Sequence, residues 1–574
     1  MLPPIRAIRV ATDRCSSLPD RMLRPSVMGF SRGGPRFGSL IVLFFLLWAC
    51  LLLVPRSAVA QRFLPDDPIS EDPDRLDMPV PVARSASDYV RFLSNTFVEA
   101  RGEEGPAINV NTLNQVPNSS WYKDRHFASG MSLDKLRRGA GVGRGPQPDS
   151  SWVVESIEAV RPVARLMIRD ADGERYELRL DSPDHPVLAT AAGAVANRAY
   201  YALGYFVPEL TIVRFAPGKL VTAEGGDVRK ADIWEALNNA PTLTGGVYRA
   251  AALRIPEPVV ERVGPFLFHS TRPDDGNDIF PHERRRELRG LFVAAAWLNH
   301  TGIRATRTLD VGVKHDGHTF VRHYVYNTFE ALGSAQVGPK EAWMGREHLV
   351  EISPVLVRMG TLGLSGGDWV NTRYPDVNHV GRFGATNFDP ERWRPEHPNP
   401  AFAQRDSADT FWMARKIAHF TDREIRAMVE AAEYPDSSSV DYVTTTLARR
   451  RDSIAATYLG YGGGLDGFRV SGDRLIFEDL LNRYVDRSVS NLRFVQWHRF
   501  SNEQNRVTDE LGRTSVSDTS IDLPEGHAPF YRVRIMTPSY GATDVYLREV
   551  TPSSNAVDYE VVGVERHGRD PDAS

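Results

Sequence analysis

The stretch FVRHYVYNTFEALGS, residues 320–334, decides how this chain is read. Its β-branched and aromatic residues predict a strand from Phe320 to Tyr326 that runs into a turn at Asn327-Thr328-Phe329. Glu330 is the first carboxylate beyond the turn. Whether this turn is a damaged metal site or was never one depends on what the rest of the chain brings to it.

Working outward, RTLDVGVKHDGHTFVRHYVY (307–326) predicts a hairpin turning at Asp316-Gly317. Upstream, FPHERRRELRGLFVAAAWLNH (280–300) predicts a helix that starts at Pro281 and buries Leu288, Leu291, Phe292 and Ala295. Residues 230–460 are mostly helical, with a capping box at Thr421 and Glu424 and a last helix from Val440 to Leu459. Residues 151–216 form a compact α+β unit. VARLMIRD and ERYELRLD flank the turn Ala171-Asp172-Gly173. On the second strand Tyr176, Leu178 and Leu180 share one face, while Glu177, Arg179 and Asp181 share the other. The helix that follows has Asp184 as its cap and ends at Gly204. The run GYGGGLDGF (460–468) reads as a hinge, and residues 468–574 as a small antiparallel β domain.

Bulk properties bound the class. At 574 residues, two to four domains are expected. Arg32 and Arg36 precede the apolar run Leu40 to Val54, and Ala58 and Ala60 form an A-x-A pattern. These predict a signal segment cleaved after Ala60, with an uncleaved anchor as the alternative. The net charge is −4 overall and +6 over residues 1–60, which leaves −10 for the mature chain. That excludes a basic nucleic-acid binder. Both cysteines, Cys15 and Cys50, lie in the leader, so the mature chain has no disulfide, thiolate metal site or cysteine nucleophile. An exported bacterial protein of the periplasm, cell surface or extracellular medium is expected. Membrane contact is expected only through the signal segment if that segment is uncleaved.

Four stretches together carry a resemblance: NTLNQVPNSSWYKDR (111–125), YELRLDSPDHPVLATAAGAVANRAYYALGYFVPE (176–209), STRPDDGNDIFPHERRRELRGLFVAAAWLNH (270–300) and FVRHYVYNTFEALGS. The chain resembles, over most of residues 110–565, an uncharacterised family of exported bacterial proteins with an atypical protein-kinase-like core, distantly akin to HipA-type kinases. The resemblance implies an α+β fold: a bilobal protein-kinase-like core with an N-terminal extension and a small C-terminal antiparallel β domain. The boundaries are a leader at 1–60, an extended segment at 61–150, an N-lobe at 151–228, a C-lobe at 229–460, a Gly-rich linker at 461–467 and a β domain at 468–574. Members carry Lys where this chain has Arg179 and Glu where it has Gly193. They carry Asn-His-Asp-Asp at Asn299-His300-Thr301-Gly302, and Ile-Asp-Phe-Gly at Tyr326-Asn327-Thr328-Phe329.

Phosphoryl transfer needs a cation on the phosphates, carboxylates on the metal and a group that orients the nucleophile. Arg179 supplies a cation and is the nucleotide-binding candidate, against a reading as a solvated strand residue. No carboxylate lies in the helix Val187–Leu203 or between Leu288 and Leu309. Arg307 stands where the family's metal-binding Asn is implied, and it would repel Mg²⁺. The degenerate-cleft candidates are therefore Arg179, His300, Asp310, Asn327 and Glu330, with Glu330 and Asn327 as the metal candidates. The expectation is a pseudokinase-like envelope protein that binds an unidentified protein or small-molecule ligand, with ATP and Mg²⁺ as the cofactors to consider. One alternative is an active atypical phosphotransferase using ATP and Mg²⁺ with relocated ligands. The other is a structural envelope protein that makes contacts through its β domain.

Other constellations carry less. Gly363-Leu364-Ser365-Gly366-Gly367 fits G-x-S-x-G without the strand and helix that a nucleophile elbow needs. His315-x-x-His318 flanks a turn and lacks a third zinc ligand. RPDDGND (272–278) reads as the loop before the Pro281 helix rather than a Ca²⁺ loop. Trp152, Trp297, Trp369, Trp393, Trp412 and Trp497 are expected in the core.

Overall fold

The computed structural model describes residues 61–87, 95, 105–141, 145–160, 163–349, 372–374, 377, 379–485, 491–550 and 558–568. The leader with its cleavage pattern, the Gly-x-Ser-x-Gly stretch and Trp369 lie outside these residues. The protein is mixed α/β. Among the described residues no helix is long and apolar enough to cross a membrane.

The first sheet contains β1 (Trp152–Val160), β2 (Val163–Arg169), β3 (Arg175–Leu180), β4 (Glu209–Phe215), β5 (Leu220–Thr222) and β6 (Val247–Arg254), in the order β4-β6-β3-β2-β1-β5. The β2–β3 turn forms where the residues permit it. Gly173 takes φ +81°, and Asp170 Oδ1 accepts from the amides of Asp172 and Glu174 at 3.1 and 3.0 Å. Leu166, Ile168, Leu178 and Leu180 pack one face of this sheet. Both faces of β3 are buried, so its charged face is not the solvated one that alternation implies.

Helix α1 (Leu188–Leu203) lies between β3 and β4 and is buried at almost every position. Its cap is Asp181, not Asp184. Asp181 Oδ1 accepts from the amides of Ala189 and Thr190, both at 2.9 Å, reaching across from the end of β3. Gly204 ends the helix at φ +113°, where a Cβ would lie 2.1 Å from the Tyr122 ring. A short helix, α2 (Lys230–Asn238), precedes β6 and buries Ile233, Ala236 and Leu237.

After β6 come β7 (Val259–Gly264) and α3 (Arg286–Leu298). Helix α3 begins five residues beyond Pro281, because His282–Arg284 forms a 3₁₀ turn first. All its residues are buried, including the charged ones, since each finds a partner. Arg286 Nε and Arg289 Nη1 both reach Asp409, at 3.0 and 3.3 Å, and Glu287 accepts from Asn109 at 2.6 Å. Asp278 of the RPDDGND loop is held by His282 (2.7 Å) and Arg285 (3.0 Å), which leaves it no role as a Ca²⁺ ligand. The hairpin of β8 (Thr308–His315) and β9 (His318–Val325) pairs in the expected register about Asp316-Gly317, both in left-handed conformations.

Helices α4 (Ser407–Ala418) and α6 (Ser437–Tyr458) pack on α3 and on each other, and α5 (Asp422–Glu430) packs on α6. The capping box forms as expected: Thr421 Oγ1 accepts from the Glu424 amide, and Glu424 Oε2 accepts from the Thr421 amide. The glycines read as a hinge are instead buried, with Gly462, Gly463 and Gly464 all in left-handed conformations. A Cβ at Gly462 or Gly464 would come within 2.8 Å of Arg566 or Leu481. Beyond them, β10 (Leu465–Ser471), β11 (Arg474–Asp479) and β14 (Ser520–Asp522) form one small sheet. A five-stranded antiparallel sheet runs β13 (Arg506–Val516), β12 (Arg493–Ser501), β15 (Phe530–Thr537), β16 (Gly541–Val550), β17 (Asp558–His567). Trp152, Trp297, Trp393, Trp412 and Trp497 are buried, as expected of core anchors.

Asp409 is fully buried between two arginines, so its loss would strand two charges. Asp409→Ala is expected to lower stability by about 3–5 kcal/mol, read as a shifted urea midpoint.

Candidate functional site

Arg179 sits on β3 and is only 6% exposed. Its Nε donates to Glu177 Oε1 at 2.6 Å, and the Tyr326 hydroxyl donates to the other oxygen of Glu177. Burial raises the Glu177 carboxyl, but Arg179 and the Tyr326 hydroxyl outweigh it and hold the group below its ordinary range. The solvated-strand reading of Arg179 is therefore corrected. Its partner comes from its own strand rather than from α1.

The turn after β9 explains why α1 offers no carboxylate. The Arg179 guanidinium lies 4.6 Å from the centroid of the Phe329 ring. That ring occupies the notch over Gly193, where a Cβ would come within 2.7 Å of ring carbon Cδ1. Thr328 Oγ1 donates to the Gly193 carbonyl at 2.9 Å. A glycine that looked costly in mid-helix is what lets the turn dock. The space left among Arg165, Arg179, Phe329 and Val337 is about 30 Å³.

Asn327 is not poised for a cation. Its Oδ1 accepts from the Phe329 amide at 3.1 Å, and its own amide donates to the Arg307 carbonyl at 2.9 Å. Glu330 is buried and accepts from Arg304 (3.2 Å), Arg307 (2.6 Å) and Gln336. Burial raises the Glu330 carboxyl, but Arg307, Arg304, Lys340 and His300 overcome this and bring it down to about 2. Gly302 makes room for Glu330, since a Cβ there would fall 1.7 Å from its Oε2. Asp310 turns elsewhere, to Arg272 (3.2 Å) and His323 (2.7 Å). Asp310 and Glu330 are thus each engaged by their own cationic partners.

His300 is fully buried, with Nδ1 2.9 Å from the Tyr200 hydroxyl. Burial pushes it down to about 3, so it is neutral at physiological pH. Thr301 Oγ1 bonds Lys340 and Glu396, which pair with each other at 2.9 Å. The acid-free loop already showed Arg304 and Arg307. The Lys340–Glu396 pair, 56 residues apart in sequence, left no local signal. Among the described residues, one group of acidic and histidine side chains has ligand atoms close enough to share a cation: Asp544, Glu565 and His567, within 4.8 Å. Asp544 there already pairs with Arg532 and Arg534, at 2.7 and 2.8 Å.

These elements define a mixed α/β protein whose sheet, central helices and hairpin meet at a filled cleft. No family model and no curated protein matches the chain. Among solved structures it is similar to the Helicobacter pylori proinflammatory kinase CtkA, with TM-score 0.28 and 10% identity over 54% of this chain and 97% of that one.

Two outcomes test this geometry. Gly193→Ala is expected to cost about 1–3 kcal/mol, and Phe329→Ala about 3–5 kcal/mol. In the double variant the costs should fall short of their sum, because the added methyl no longer meets the ring. The folded Glu330 pKa lies below its unfolded value near 4.5, so its contribution is present above about pH 4.5 and lost as pH falls toward 2. Glu330→Gln should destabilise the protein at pH 7 and flatten the acid limb of the stability curve across that window.

Proposed function

We propose that the chain is an exported, non-catalytic protein with a kinase-like scaffold that binds a ligand or partner at the cell envelope. The order of elements supports that scaffold: a cation on β3, the helix after it, the loop after α3 and the turn after β9. What supports a non-catalytic role is the filled cleft. The Phe329 ring lies over Gly193 and beneath Arg179, leaving about 30 Å³ where a nucleotide needs several hundred. Thr301, Gly302 and Asn327 replace the groups that would carry base and metal chemistry. The relocated-ligand alternative calls for Asp310 and Glu330 to converge, and their engagement by separate cations argues against it. The apolar run before Ala60 and the absence of cysteine beyond it support export.

The test is thermal unfolding with and without Mg·ATP. A ligand at 100 times its Kd contributes about 2.7 kcal/mol, easily seen as a rise in Tm. No rise assignable to the cleft is expected. A rise that disappears in Arg179→Ala or Glu330→Ala would overturn the non-catalytic reading.

A further inference from the structure

A second hollow lies away from the cleft. A pocket of about 360 Å³ opens between residues 344–347, residues 384–393 and helix α6. That volume suits a small organic ligand. Its lining holds six arginines against two acids, Glu347 and Asp389. Asp389 is already occupied, accepting from the amides of Glu391 and Arg392 at 3.0 and 3.3 Å.

Arg450 anchors the positive field. It is 4% exposed, and it donates to the carbonyls of Trp297 (2.9 Å) and Gly384 (2.7 Å) and to that of Ala296. The end of α3 offsets part of its charge. No carboxylate faces it among the described residues. Its guanidinium lies 3.5 Å from the centroid of Phe388. Burial, with Arg346 adding repulsion, lowers Arg450 to about 9. Arg346 and the exposed Arg449 have no carboxylate partner among the described residues either. Three guanidiniums therefore share one pocket without a direct carboxylate partner among the described residues. Trp393 and Tyr442 supply aromatic walls, held by hydrogen bonds to Asn299 Oδ1 (3.1 Å) and the Phe383 carbonyl (2.6 Å).

We infer that this pocket binds a small phosphate-bearing molecule, with Arg346 and Arg449 forking onto the phosphate oxygens and Arg450 supplying buried charge behind them. Guanidinium forks match phosphate geometry, and a multiply charged anion answers several cations where a monocarboxylate answers one. The inference names the ligand class for the binding role proposed above and is independent of the state of the cleft under Arg179.

The experiment is titration calorimetry of inorganic pyrophosphate into the full-length protein at low ionic strength. Saturable one-to-one binding is expected, weakened about tenfold or more by Arg449→Gln and again by Arg346→Gln. Both variants should keep or raise the ligand-free Tm, since each removes a like charge. If one fails to fold, the other alone decides. Arg179→Ala should leave the affinity unchanged. Citrate should bind more weakly. No saturable binding up to about 10 mM, or equal affinity in the wild type and both pocket variants, would overturn the pocket. Citrate binding as tightly as pyrophosphate would overturn the phosphate class. Binding lost only in Arg179→Ala would overturn the pocket and the closed cleft together, whereas a Mg·ATP response lost only in Arg179→Ala would sink the closed cleft alone.

Discussion

The contact of Phe329 with Gly193 fixes how the sheet, α1 and the hairpin meet. A side chain at 193 would hold the turn away from the helix; its absence lets the ring seat and brings Thr328 within hydrogen-bond reach of the Gly193 carbonyl. The seated ring then gives Arg179 a surface to lie on, and Arg179 fixes Glu177, which in turn receives the Tyr326 hydroxyl. One missing Cβ thus ties β3, α1 and the end of β9 into a single packed unit. The small volume left there follows from that packing, because a well-packed interior tolerates few voids.

Charge is handled throughout by pairing carboxylates with arginines. Asp409 lies between Arg286 and Arg289, Asp466 between Arg415 and Arg566, and Glu330 between Arg304 and Arg307. Such buried groups add little net stability as pairs, yet they are costly to break, so they act as registers that hold elements in one arrangement. They also remove the acids from other service. A carboxylate already answering two guanidiniums has little field left for a divalent cation.

What was legible in the sequence is what local chemistry decides. The Ala171-Asp172-Gly173 and Asp316-Gly317 turns, the Thr421 capping box and the missing acids of residues 299–309 depend on residues within a few positions of one another. The misreadings came from contacts across the chain. Alternation on β3 left a solvated Arg179 open as an alternative, but Tyr326 and Phe329 cover that face. Asp184 stood nearer the helix start than Asp181, yet the strand end aims Asp181 at the free amides. The glycines at 462–464 resembled a hinge because glycine serves flexible and crowded backbone alike, and Arg566, Thr537 and Leu481 decide for crowding. The pocket arginines, drawn from positions 346 to 450, follow no periodicity at all.

The small residues of the cleft are packed rather than left open. Open cavities and stranded charges there would each cost a kilocalorie or more. Here the small residues are matched by large or charged ones. Gly193 is filled by Phe329, and Gly302 accommodates Glu330. Thr301 is taken up by Lys340 and Glu396. A few polar atoms remain unbonded, among them His300 Nε2 and Arg179 Nη1, but the neutral imidazole and the paired guanidinium limit their cost. A carboxylate introduced at residue 302 would meet Glu330 directly, and one at residue 193 would meet the Phe329 ring. Either carboxylate would therefore break packing, which makes this cleft a structural core in its own right.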